Sequence, residues 1–188
     1  MFKSYFIGSY KDFISDIGPV IQCIAIQGRD LIGLELGVYK ADSFMTILEN
    51  CSNIKTLYGV DSYKPYYDVF ENREISEFES EMIKSESLLK QKHSVHADKI
   101  KFYECTSQEA VLKFDNESLD FIFIDADHSY DSVLEDLNLW YPKLKKGGLL
   151  SGHDYHMPTV EAAVTDFRTL NNITNPLGVY LASYVWKK

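Results

Sequence analysis

Apolar residues along this chain gather in short runs separated by longer mixed segments. The runs at 31–36, 56–60, 100–104, 121–124 and 148–151 are each short enough for one strand, and several lack strict alternation. An apolar run without alternation is what a strand buried on both faces requires. The segments between them are long enough for crossover helices, so the pattern predicts an α/β fold, a parallel sheet with helices on both sides. VEAAVTDFRTL sets Val160, Val164, Phe167 and Leu170 on one helical stripe behind the start signals Pro158 and Thr159. The tail LGVYLASYVWKK carries two β-prone pieces around Ala182 and Ser183, as a closing hairpin would. One stretch, 63–99, is much longer than a single connection needs. It reads either as one or two solvated crossover helices or as a lid over the carboxyl edge, with Tyr63, Tyr66 and Tyr67 as aromatic surface.

Length and charge narrow the classes. At 188 residues and 45% hydrophobic, the chain suits one domain, 1–188, with a sizeable core. A net charge of −9 argues against a nucleic-acid footprint, which needs clustered Lys and Arg. Three cysteines without CxxC spacing argue against a disulfide framework or structural zinc and favour three small core residues in a reducing cytoplasm. Lys11, Asp12 and Asp16 interrupt the N-terminal apolar residues, so neither a signal peptide nor a membrane span is expected.

Four motifs carry candidate chemistry. In GLELGVYKADS a buried strand ends in Glu35, Gly37 follows, and a helix begins near Ala41 or Asp42, whose free amides would favour a negative group. In TLYGVDSY, Asp61 closes the next strand about 24 residues after Gly37, where α/β nucleoside sites hold ribose hydroxyls; the plainer alternative is a helix-capping aspartate. In ECTSQEAV, Ser107 either caps a helix with help from Gln108 or Glu109, or meets an adenine edge together with Gln108. The fourth runs from Leu119 to Tyr155 and places Asp125, Asp127 and His128 at one strand end and His153, Asp154 and Tyr155 at the next. Two acid–imidazole clusters at the carboxyl edge of a sheet suit a metal or a proton transfer. The alternatives are helix-capping acids at 125 and 127 and ordinary loop histidines.

Together these motifs resemble the class I S-adenosylmethionine-dependent methyltransferases, and more narrowly the small catechol/caffeoyl-type O-methyltransferases and a bacterial group with a GHDY-like strand. The resemblance runs from about Gly33 to Tyr155 and implies a Rossmann-like, doubly wound, seven-stranded sheet, mostly parallel with a C-terminal antiparallel hairpin. It implies Glu35, Gly37 and Tyr39 near the methionine part of the cofactor, Ser43 near its carboxylate, Asp61 on the ribose, and Ser107 with Gln108 on the adenine. Asp125 and Asp154 match metal-ligand acids, for Mg²⁺ or Mn²⁺, and His128 falls where a lysine or histidine base removes the acceptor's proton. The chain departs from the catechol type at Tyr155, where an asparagine ligand is usual, and from sugar-methylating relatives at His153, where an acid stands. Imidazole at 153 and a phenol at 155 are poor partners for Mg²⁺, which leaves Mn²⁺, a loosely held ion or no metal as the alternatives. The expected activity is O-methylation of a small-molecule hydroxyl in a sugar, phenol or related metabolite, by a protein whose size permits a homodimer. Cofactor binding without catalysis, or an NAD-dependent oxidoreductase lacking the usual glycines, are the other readings.

Overall fold

The computed structural model describes residues 10–63, 66–68, 73–75, 90–91 and 94–188. Helix α1 (Tyr10–Ala25) precedes β1 (Leu31–Leu36), α2 (Asp42–Asn50) and β2 (Ile54–Asp61). A small hairpin, β3 (Tyr66–Asp68) with β4 (Arg73–Ile75), leads to β5 (Ile100–Glu104) and the single turn α3 (Ser107–Ala110). Then come β6 (Leu119–Ile124), α4 (Tyr130–Trp140), β7 (Leu144–Gly152), α5 (Pro158–Leu170), β8 (Gly178–Tyr180) and β9 (Ser183–Lys187).

Seven strands form one sheet in the order β5-β2-β1-β6-β7-β9-β8. The first five run parallel, and β9 is antiparallel to both β7 and β8. This is the α/β architecture and the closing hairpin that the hydrophobic pattern predicts. Both faces are covered, which explains the missing alternation. On β6, Phe121 and Phe123 pack toward α1 and α2 with Ile17, Val20, Phe44 and Ile47. Ile122 and Ile124 pack the other way, with Val133, Leu137 and Trp140 of α4 and Val164 and Phe167 of α5. From β1 the chain steps outward to β2 and β5, then returns to the far side of β1 as β6. The switch point, where an open α/β sheet splits to admit a ligand, therefore lies between β1 and β6.

Three details differ from the sequence pattern. Helix α1 contains Pro19, a residue that disfavours a helix interior. Its stripe of Ile17, Val20, Ile21 and Ile24 is nevertheless buried, so tertiary packing outweighs local preference. Leu170 is 74% exposed: it is the last residue of α5 and has left the buried stripe that Val160, Val164 and Phe167 share. Within 63–99, the described residues include the β3–β4 hairpin where solvated helices were the expectation; the lid itself falls chiefly on 64–65, 69–72, 76–89 and 92–93, outside the described residues.

No helix among the described residues is long and apolar enough to cross a membrane. All three cysteines are free, with Cys51 buried and Cys23 and Cys105 half-buried.

Candidate functional site

The carboxyl ends of β1, β2, β6 and β7 deliver most of the predicted residues to one edge. Gly37 leaves β1 with φ +81°, and its amide donates to Val60 O of β2 at 2.9 Å. Asp125 N donates to Leu36 O at 2.8 Å, drawing the tip of β6 against the tip of β1. A Cβ at Gly37 would collide with the Asp125 carbonyl, so glycine is required by both conformation and space. Tyr39 and Ala41 also have positive φ, and this tight path brings the chain round to α2.

Asp61 organises that loop. Its Oδ2 accepts from Val38 N at 2.9 Å and Tyr39 N at 2.8 Å, while its Oδ1 accepts from Tyr63 N at 2.9 Å. It is thus not a helix cap. Each carboxylate oxygen accepts about two hydrogen bonds, which leaves Asp61 room for one further donor, on Oδ1. Tyr63 stacks on Phe102 at 5.9 Å between centroids, against the core rather than as free aromatic surface. Burial and the neighbouring acids raise its pKa.

Glu35 is fully buried. Its Oε1 accepts from the Ser43 hydroxyl in the first turn of α2, and its Oε2 has no partner. Burial, and secondarily Asp125 and Asp61, raise its pKa well above the carboxylate range against the opposing Ser43 bond.

At the α3 edge the structure reassigns roles. Thr106, not Ser107, is the helix cap, in a reciprocal box with Glu109. The Ser107 hydroxyl donates to Asp136 of α4 and accepts from Trp140 Nε1 at 2.7 Å. Gln108 is exposed and donates to Glu135 at 2.7 Å. Asp136 is buried, and desolvation raises its pKa to about 6 despite the Ser107 bond. Sequence reading missed this residue, although it stands three residues after Val133 on the face of α4 that Leu137 and Trp140 also bury, an acid within an apolar stripe.

The tips of β6 and β7 carry the acid–imidazole cluster. Ser129 caps α4, and Asp127 Oδ1 accepts from Ser129 N at 2.7 Å, so Asp127 shapes the turn while Asp125 stays available. Thr159 of α5 donates to His128 O at 2.7 Å and fixes that loop from the other side. His128 Nε2 lies 3.0 Å from Asp154 Oδ2 and 3.9 Å from Asp125 Oδ1. His153 Nδ1 lies 3.2 Å from Asp154 Oδ2 and 3.9 Å from Asp125 Oδ1. His156, absent from the sequence-derived set, stands 3.9 Å from Asp154 Oδ1. Asp154 adopts φ +56°, and its Oδ2 lies between the two imidazoles.

The charges interlock. Burial disfavours the His128 imidazolium, but hydrogen bonds to Asp125 and Asp154 outweigh it and lift its pKa to about 10. His153 is raised through Asp154 and Asp125 against the same burial. Asp154 is lowered, because two imidazolium partners outweigh its desolvation. Asp125, His128 and Asp154 each offer one ligand atom within 4.8 Å of the others, the geometry a cation needs. The expected ligand His153 likewise brings Nδ1 within 3.9 Å of a carboxylate oxygen of both Asp125 and Asp154.

Residues 34–155 match the family described as "Methyltransferase domain". The chain is similar to an uncharacterised protein, R132, of Acanthamoeba polyphaga mimivirus, at 27% identity over 150 residues, 74% of this chain and 62% of the relative. It thus spans about three fifths of that relative's length. Among solved structures it is similar to the O-methyltransferase NovP, with TM-score 0.58 and 19% identity over 95% of this chain and 78% of that one. A protein from Corynebacterium glutamicum gives TM-score 0.63 and 13% identity over 95% and 87% of the two chains. At such identities the structural likeness is one of fold. The family match covers both halves of the crevice and about two thirds of the chain, from within β1 to the loop after β7, and on that ground the chain belongs to the methyltransferase-domain family.

Proposed function

We propose that this chain transfers the methyl group of S-adenosylmethionine to a hydroxyl of a small molecule. The observation that carries this reading is the junction at Gly37, where the loop expected to hold the cofactor packs directly on Asp125 of the acid–imidazole cluster. Donor and acceptor sites would then share one wall, as in-line displacement demands. The fold likeness to the O-methyltransferase NovP supports the choice of oxygen as acceptor. The net charge of −9 supports a small molecule over a nucleic acid.

In this reading Asp61 uses its remaining acceptor site for one ribose hydroxyl, while its other contacts keep the Val38–Tyr39 backbone in place. Ser43 and the first amides of α2 face the methionine carboxylate. Ser107 shapes the adenine wall by joining α3 to α4 rather than by offering a free hydroxyl, and Gln108 is the member of that pair able to reach a base edge. Asp125 and Asp154, with the His153 imidazole beside both, are suited to hold a divalent ion; that imidazole favours Mn²⁺ over Mg²⁺, and the role of base falls to His128. Such an ion would orient and acidify the acceptor hydroxyl. His128 receives the acceptor's proton only when it is neutral. Its basicity is therefore set by how much of the Asp125 and Asp154 charge is compensated elsewhere.

That imidazolium also favours a second reading, a cofactor-binding protein without turnover, because a histidine protonated at neutral pH is not a base. Calorimetric titration with S-adenosylhomocysteine, with and without Mn²⁺, followed by transfer of labelled methyl to a panel of sugars and phenols, separates the two. Binding with transfer that disappears in His128→Ala supports the enzyme; binding without transfer to any acceptor supports the second reading. Absence of binding would sink both.

A further inference from the structure

Glu35 is the most deeply buried acid of the crevice, with one hydrogen-bond partner on Oε1 and none on Oε2. The charged groups that bear on it from the neighbouring strand tips are Asp125 of β6 and Asp61 of β2, both acids. An ionised carboxylate placed there would lack a donor for one oxygen, lack water, and face two like charges. A neutral acid lessens the first two penalties and removes the third.

The consequence falls on Ser43, which is almost fully buried in the first turn of α2. Its hydroxyl has one proton. If Glu35 were an anion, that proton would be committed to Glu35, and only lone pairs would face the crevice. If Glu35 carries the proton, the bond runs from Glu35 to Ser43 Oγ, and the Ser43 proton is released. The cap residue Ala41 makes no side-chain hydrogen bond to this helix, so the first-turn amides beside Ser43 have no capping side chain to satisfy them. A hydroxyl proton alongside those amides makes a coherent anion site; a lone pair spoils it.

We propose that Glu35 is a positioning residue that works as a neutral carboxylic acid, donating to Ser43 so that Ser43 donates to the carboxylate of the cofactor's amino-acid half. This rests on the S-adenosylmethionine reading above. The role explains why an acid can be fully buried at this position while making so few contacts of its own.

The test compares S-adenosylhomocysteine with 5′-methylthioadenosine, which lacks the amino-acid half, by calorimetry on the full chain. Glu35→Gln retains a donor toward Ser43, and its affinity for S-adenosylhomocysteine stays within about 3-fold of wild type. Ser43→Ala weakens S-adenosylhomocysteine about 10-fold, the loss of one charge-assisted hydrogen bond, and leaves methylthioadenosine unchanged. A 10-fold or greater loss in Glu35→Gln confined to S-adenosylhomocysteine overturns the proposal, since it marks Glu35 as an anion pairing with the cofactor's ammonium. An unchanged Ser43→Ala overturns it too, and that variant decides the matter should Glu35→Gln fail to fold. If wild type binds neither ligand, the cofactor reading itself is what has failed.

Discussion

At the tips of β1 and β2 the carboxylates are held by backbone amides and a hydroxyl; at the tips of β6 and β7 they are held by imidazoles. Asp61 accepts three main-chain N–H groups, and Glu35 is paired with Ser43. Asp154 is wedged between His128 and His153. Amides and hydroxyls do not titrate in this range, so the partners that hold the first region's acids are the same at any ordinary pH. Imidazoles lose protons and compete with cations, so the second region answers to pH and to metal. The sign of that response follows from the shifts. The contribution of His128 to stability is complete below its ordinary value of 6.5 and is lost as pH rises through about 10. That of Asp154 is present above its ordinary 3.8 and is lost as pH falls below it. One region is a mould, the other a responsive site.

The largest expected effect comes from breaking the seam between them. Gly37→Ala combines a positive φ with a collision at Asp125, and urea denaturation should show a loss of about 4 kcal/mol or failure to fold. Next, Asp154→Asn leaves the mould intact but removes the charge shared by both imidazoles. Methyl transfer should fall by about 100-fold or more while S-adenosylhomocysteine affinity stays near wild type, measured by labelled-methyl assay and calorimetry. Equal loss of both would mean that the regions are not separable.

A smaller effect tests whether burial alone makes an acid responsive. Asp136 has its pKa raised from 3.8 to about 6, so its contribution is complete at low pH and is lost as pH rises through that window. Asp136→Asn should therefore be more stable than wild type at pH 7.5 by on the order of 2 kcal/mol, with the gap closing by pH 4, in parallel urea melts. A constant gap would mean that the acid is ionised without penalty. Smallest of all, Gln108→Ala removes an exposed side chain and should change stability by less than about 0.5 kcal/mol. Any drop in S-adenosylhomocysteine affinity in that variant then reports adenine contact.

Much of the first region was legible in the sequence. Strands β1 and β6 are mostly apolar without alternation because both sheet faces are covered, and a glycine between Glu35 and Asp61 marks a close approach by its residue type. What could not be read was which partner each polar group takes. Thr106 and Ser107 are both competent caps, and only the position of α4, some thirty residues on, draws Ser107 away to Asp136. Asp61 stands at the tip of β2 as its place in the sequence suggests, but its backbone contacts depend on the curl of the Gly37 loop. The second region was legible as residue types at strand ends and illegible as electrostatics. A histidine's proton depends on a carboxylate brought beside it by the pairing of β6 with β7, which no local pattern encodes. The hairpin β3–β4 escaped notice because three-residue strands leave no periodicity to read.

The loop that carries Asp154 is sutured to the far end of the chain. Tyr155 N donates to Ala182 O at 2.8 Å in the turn between β8 and β9, and the Tyr155 ring lies 5.6 Å from that of Tyr184. Gly37, Asp61 and their partners, by contrast, all precede residue 126. The pose of Asp154 therefore depends on the last strand of the sheet, whereas that of Asp61 is settled by backbone amides close to it in space within residues 38–63.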